Sequence, residues 1–133
     1  MKNIMKLSAV AMTLALVGCG GVDTDYPTDG SIQERCQFLA DTKIEVTRLI
    51  VEDKDVDAAV EMAKEISDST PRGTEDKVAN KVLRDFSDVT PKKLERMLTQ
   101  IDKHPEKAEK IIEEINNKEE TEKAIQTCVE RYK

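Results

Sequence analysis

Hydrophobic residues recur along most of the chain at the three- and four-residue spacing of amphipathic helices, and no segment shows the alternation of a strand. The first helix is predicted to begin after Ser31, which can form a capping box with Glu34, and to end near Val51. Its apolar stripe consists of Ile32, Cys36, Leu39, Val46 and Ile50.

A second apolar run follows at regular helical spacing, formed by Val56, Ala59, Val60, Ala63 and Ile66. Either Asp53 or Asp55 can cap this segment, because a carboxylate accepts hydrogen bonds from the free N–H groups of a first turn. Whether the two runs form one bent helix or two helices stays open.

Turn and capping residues divide the rest of the chain into short helices. Thr74 is predicted to cap the third, and Thr90 with Pro91 to start the next. Breaks are expected at 67–73, His104–Pro105 and Asn116–Asn117. The apolar positions expected inside are Val78, Val82, Leu83, Phe86, Leu94, Met97, Leu98, Ile101, Ala108, Ile111, Ile112, Ile115, Ala124, Ile125, Cys128, Val129 and Tyr132. These patterns predict an all-α fold, a compact bundle of four to six short helices.

The N-terminal segment has the charge and hydropathy of an export signal. Lys2 and Lys6 precede an apolar stretch at 7–17, which is shorter than the about 20 residues of a membrane-spanning helix. The run Leu16-Val17-Gly18-Cys19 resembles the lipobox of bacterial lipoproteins. The resemblance implies cleavage before Cys19, lipidation of that residue, and anchorage of the chain to a membrane.

Membership of the lipoprotein class would also set the location and the domain organisation. By analogy with the enteric proteins of this class, Gly20 in place of Asp implies the outer membrane, facing the periplasm of the bacterial envelope. Residues 1–18 would be the signal peptide, and 19–30 the lipidated Cys and a flexible tether rich in Gly and Asp. Residues 31–133 are predicted to form one helical domain.

Cys36 and Cys128 remain after Cys19 is assigned to the lipid. In an oxidising compartment such a pair is expected to form a disulfide. A metal site or a reactive thiol is the alternative, but no third or fourth Cys or His lies at metal-ligand spacing. The disulfide would bring the start of the first helix to the end of the last, which favours antiparallel packing of the two.

The charge of the chain constrains its partners. The net charge is -6, and loss of Lys2 and Lys6 with the signal peptide would make it about -8. This balance argues against nucleic-acid binding, which normally needs a basic stripe. The acidic excess is concentrated in residues 52–68, where Asp53, Asp57, Glu61 and Glu65 are spaced to form a ladder on one helix face. This ladder is either a solvated face or a binding site for a basic protein partner.

Signals of chemistry are sparse in this sequence. Asp53, Asp55 and Asp57 resemble the opening of a calcium-binding loop, but Ala58 and Lys64 replace the glycine and glutamate that such a loop needs. His104 is the single histidine, and it is expected to lie at a helix end. We therefore expect no enzyme activity, no cofactor and no metal.

Two functional hypotheses follow from these features. The first is a non-catalytic, membrane-anchored envelope lipoprotein that acts by protein–protein contact. The alternative is a defensive inhibitor lipoprotein, which would exclude superinfecting phage or conjugating cells, or give immunity to a basic toxin.

Overall fold

The computed structural model describes residues 22–133, and this part of the chain is all-α. The predicted signal peptide, residues 1–18, and the predicted lipidation site, Cys19, lie outside the described residues. The helices are α1 (Ile32–Val51), α2 (Val56–Ser69), α3 (Lys77–Phe86), α4 (Pro91–Lys103), α5 (Pro105–Ile115) and α6 (Lys118–Tyr132).

Helix α1 is the centre of the bundle and contacts each of the other five helices. The predicted capping box is confirmed: the Ser31 hydroxyl accepts from the Glu34 N–H at 3.1 Å, and Glu34 accepts from the Ser31 N–H at 2.8 Å. The buried Thr42 hydroxyl donates to the Phe38 carbonyl oxygen at 2.7 Å, so α1 is able to place a polar side chain in the core.

The two apolar runs at 32–66 are separate helices. The chain reverses at 52–55, where Lys54 adopts a positive φ of 51°. Asp55, and not Asp53, caps α2: its side chain accepts from the Ala58 N–H at 3.0 Å. Asp53 therefore precedes the cap and does not belong to α2.

The start of α3 differs from the prediction. Asp76 is the N-cap, and one carboxylate oxygen accepts from the N–H groups of Val78 and Ala79. The predicted cap, Thr74, instead accepts from the Asp76 N–H at 3.2 Å. Thr74 thus positions the capping residue, and the carboxylate is the group that meets the free donors of the first turn.

The three later helix starts match the sequence more closely. Thr90 caps α4 with Pro91 in its first turn, and His104 separates α4 from α5 without a side-chain capping bond to α5. Asn117 caps α6 through the N–H groups of its first turn. On α4 one inward position was wrong: Met97 is 45% exposed, because the face of α4 that packs on the bundle is centred on Leu94 and Ile101.

Helices α1 and α6 pack antiparallel. The predicted disulfide joins Cys36 and Cys128, whose Cα atoms are 5.8 Å apart, at the start of α1 and the end of α6. Towards the end of α1, the Arg48 guanidinium donates to the side-chain oxygen of Asn116, just before α6, at 2.7 Å. The two contacts fix both ends of the helix pair.

The segment predicted as a tether is docked on the bundle from Thr24 onwards. Tyr26 is 5% exposed, and its ring packs edge-on against Phe38 with centroids 5.4 Å apart. Its N–H donates to the Ser69 hydroxyl oxygen at 3.0 Å, and its hydroxyl donates to Asp76 at 2.8 Å. The tether prediction failed here because one buried aromatic ring and its hydrogen bonds fix a segment that otherwise consists of turn-forming residues.

Candidate binding groove

An apolar groove with a volume of about 330 Å³ lies between α1 and α6. Its walls are mostly apolar, and the end of α5 and Lys81 of α3 complete its rim. The apolar lining includes Ala40, Ile44, Ile115, Ala124, Cys128 and Tyr132. The disulfide therefore lies in the wall of the groove as well as joining the two helices.

The groove exists because α6 carries apolar residues on more than one side. Ile125 is buried against the bundle, whereas Ala124, which was predicted to be buried, is exposed and lines the groove. Neighbouring residues of a helix point about 100° apart, so Ala124 faces a different direction from Ile125. The Ala124 prediction was wrong because no described helix covers this side of α6.

Helix α1 supplies the opposite wall through a second apolar stripe, which the sequence reasoning missed. Ala40 and Ile44 lie four residues apart, half-buried, outside the predicted stripe. The sequence contained a signal for this wall: an amphipathic surface helix needs only one apolar stripe, whereas α1 has two.

Charged side chains surround the groove in an ordered way. Glu114 and Glu120 lie at its α5–α6 end, and Arg131 lies at the opposite end. Between them, Lys43 and Lys81 share one carboxylate: Asp85 is 3.3 Å from the first ammonium and 2.8 Å from the second. The groove thus runs from an acidic end to a basic end.

A second depression, of about 280 Å³, lies on the other side of Lys43, between α1 and α4. Lys43 lines both depressions, and Phe86, Val89 and the exposed Met97 are among the walls of the second. The exposed side of α1 around Lys43 therefore has a concave surface on each flank.

The predicted acidic ladder is only partly formed. Asp57, Glu61 and Glu65 are exposed on α2, while Asp53 lies in the preceding turn and not on that helix. Glu61 and Glu65 line a shallow depression together with Asp23 and Glu45, and no basic side chain is among its lining residues. The sequence did not indicate Asp23 and Glu45, because they join this face only through the fold.

Two titratable groups within residues 22–133 have shifted pKa values, and neither lines the groove. Burial and the neighbouring carboxylate of Asp76 raise the pKa of Tyr26, so this phenol stays protonated as a donor to Asp76. Burial raises the pKa of Asp41, although a hydrogen bond from Gln37 opposes the shift. Both effects belong to the packing of α1 and its neighbours.

The remaining candidate groups do not form a cluster. His104 is exposed, and its Nδ1 lies 3.6 Å from a carboxylate oxygen of Glu106. Within residues 22–133, no three His, Cys, Asp or Glu side chains are arranged to hold a metal ion. The groove combines apolar walls with charged ends, which is an arrangement suited to binding an amphipathic surface.

The chain matches no protein-family model, and neither a curated protein nor a solved structure matches it. Among the described helices, none is both long enough and apolar enough to cross a membrane.

Proposed function

We propose that this chain is a lipid-anchored protein of the bacterial envelope that acts by binding another protein and carries out no catalysis itself. The observation that carries the proposal is the apolar groove between α1 and α6. Most of the surrounding surface is charged. Burial of the concave apolar site by a partner would therefore yield more free energy than burial of any other part of this surface.

The anchor part of the proposal rests on the first twenty residues. Lys2 and Lys6, the apolar stretch at 7–17, and Gly18-Cys19 are the pattern of a lipoprotein signal. The Cys36–Cys128 disulfide fits the oxidising periplasm, since such bonds are rare in reducing compartments. Gly20 favours the outer membrane over the inner one.

The docked N-terminal segment would hold the domain close to the lipid. Thr24 accepts a hydrogen bond from Ser69 at 2.8 Å and is thereby fixed on the bundle. From Cys19 to Thr24 the chain reaches at most roughly 18 Å. A lipid on Cys19 would therefore keep a partner of the groove at the membrane surface.

Lipidation is tested by growing cells with an alkyne analogue of palmitate and detecting label on the chain. We expect label on the wild type and none on Cys19→Ala, which should also keep its signal peptide and migrate as the larger precursor. Cys36→Ser is the matched control and should keep its label. Label that persists on Cys19→Ala would contradict the assignment of the anchor.

Protein contact is tested by placing a photoactivated crosslinking side chain at Ala124 in living cells. We expect a discrete protein adduct from Ala124 and from Ala40, and none from Glu122, which is exposed on α6 outside the groove. An adduct from Glu65 and not from Ala124 would instead favour the acidic face and a basic partner. Absence of adducts at all these positions would refute action by protein contact.

A further inference from the structure

We infer that the groove binds one amphipathic α-helix of the partner protein, with the N-terminus of that helix at Glu114 and Glu120 and its C-terminus towards Arg131. This inference rests on the proposed function and adds the shape, length and direction of the partner segment.

The dimensions of the groove fit about three helical turns. Glu120 lies in the first turn of α6 and Arg131 in the last. At a rise of about 1.5 Å per residue these positions are roughly 16 Å apart along the axis. A bound helix of about eleven residues would therefore contact both charged ends at once.

The walls of the groove allow a helix to approach closely. Ala40 and Ala124 are the small residues of the two facing walls. Ile44 and Ile115 provide further apolar surface along the groove. Helices pack at interaxial distances of about 8–10 Å, and small residues at the contact permit the shorter values. Two antiparallel helices with a groove between them are thus able to accept a third helix, as in helix-in-groove recognition.

The charges of the groove set the direction of the bound helix. A helix carries partial positive charge at its N-terminus and partial negative charge at its C-terminus. Glu114 and Glu120 attract the first, and Arg131 attracts the second, while the two lysines that share Asp85 lie between the ends. Lys123 lies 3.9 Å from Glu120 and offsets part of its charge, so the preference for one direction is modest. The partner helix would then run parallel to α6 and antiparallel to α1.

The test uses two peptides of fourteen residues with the same leucine face. One has two lysines in its first turn and two glutamates in its last, and in the other these residues are exchanged. A hydrocarbon crosslink on the solvent side gives both the same helicity, which circular dichroism verifies. We measure fluorescence anisotropy with the cell-processed chain and expect the first peptide to bind about fivefold to tenfold more tightly, since each helix end contributes modestly.

Variants locate the binding and its direction. Ala124→Trp fills the groove at an exposed position and should abolish binding of both peptides. A photoactivated group on the first residue of the first peptide should form its adduct near Glu120 in the wild type and near position 131 in the triple variant Glu114→Lys, Glu120→Lys, Arg131→Glu, because inverted charges should invert the direction of the bound helix. Glu122→Lys, on α6 but outside the groove, changes the charge of the same helix and should leave the wild-type preference unchanged.

Three results would overturn the inference. One is equal binding of the two peptides, and another is binding that persists in Ala124→Trp. The third is binding of neither peptide. This result would overturn the inference whether the groove binds a fluorescent fatty acid, binds a second copy of the chain detected by sedimentation, or stays empty. If the cellular adduct at Ala124 forms and the peptide preference is absent, the proposed function stands and the helix assignment fails. If the adduct is absent and the peptides bind as expected, the groove binds helices but the proposed contact with a protein in the cell fails.

Discussion

Two regions of the molecule have similar patterns of apolar residues along their helices, but they bury very different numbers of these residues. The N-terminal module, residues 22–103, contains every buried apolar residue of the described chain except Ile125. The C-terminal hairpin, α5 and α6, contributes that one residue, and α5 has no buried residue at all. Apolar spacing at the level of the sequence is comparable in the two regions, so the spacing alone does not determine burial.

The difference comes from the number of neighbours that each helix has. Within the module, α2, α3 and α4 pack around α1 and complete its core. The hairpin lies against α1, and α4 contacts its α5. The isoleucines Ile111, Ile112 and Ile115 of the hairpin remain half-buried. The hairpin is therefore attached by the packing of α6 along α1 together with the disulfide and a few polar contacts, and the open side of that attachment is the groove.

Removal of the disulfide is expected to have the largest effect on this contrast. The bond closes a loop with a sequence separation of 92, for which the chain-entropy model gives about 4–5 kcal/mol. We expect the double variant Cys36→Ser, Cys128→Ser to lose up to this amount of unfolding free energy, measured by chemical denaturation. Hydrogen exchange should rise first in α5 and α6 while the helices of the module stay protected.

Reduction of the wild-type disulfide is the matched control and should reproduce the exchange pattern of the double variant. An increase in exchange that is spread evenly over α1 to α6 would show that the hairpin and the module unfold as one unit. In that case the contrast in burial between the two regions would have no counterpart in their stability.

Truncation of Tyr26 tests whether the docked N-terminal segment is part of the module. Tyr26→Ala removes the ring from Phe38 and should cost about 3–4 kcal/mol of unfolding free energy. Tyr26→Phe keeps the ring and loses only the hydrogen bond to Asp76, which should cost about 1.5–2 kcal/mol. If denaturation shows no loss of unfolding free energy in either variant, residues 24–30 belong to a flexible tether and not to the module.

The cap of α3 offers a smaller effect with a control in the same turn. In a Tyr26→Phe background, where the bond to Tyr26 is already absent, Asp76→Ala removes the acceptor of two backbone N–H groups and the ion pair with Arg35 and should cost about 1–2 kcal/mol. Thr74→Ala, at the residue that the sequence favoured as the cap, should cost a few tenths of a kcal/mol. A larger loss from Thr74→Ala than from Asp76→Ala would reverse the assignment of the two residues.

The sequence predicted helices, breaks and the disulfide well because these depend on local chemistry and on a pair of cysteines. The capping box at Ser31, the Thr90–Pro91 start and the Asn117 break are all confirmed. The errors at Ala124 and Met97 have a different origin, because which side of a helix is covered depends on distant elements. The groove is such a property, and the sequence patterns predicted neither its α1 wall nor the exposure of Ala124 on α6.

The smallest predicted effect concerns Asp41, on α1 of the module. Because burial raises the pKa of this carboxyl from 3.8 in the folded chain, the folded state holds the proton more tightly than the unfolded state does. Stability therefore falls as the pH rises from that value through the raised pKa, and the ionised form weakens the fold at neutral pH. Asp41→Asn, whose amide oxygen still accepts from Gln37, should raise the unfolding free energy slightly at pH 7 and leave it unchanged near pH 2. Denaturation at both pH values measures this, with the exposed Glu109→Gln on the hairpin as control. A loss of stability in Asp41→Asn at pH 7 would mean that the ionised carboxylate stabilises α1.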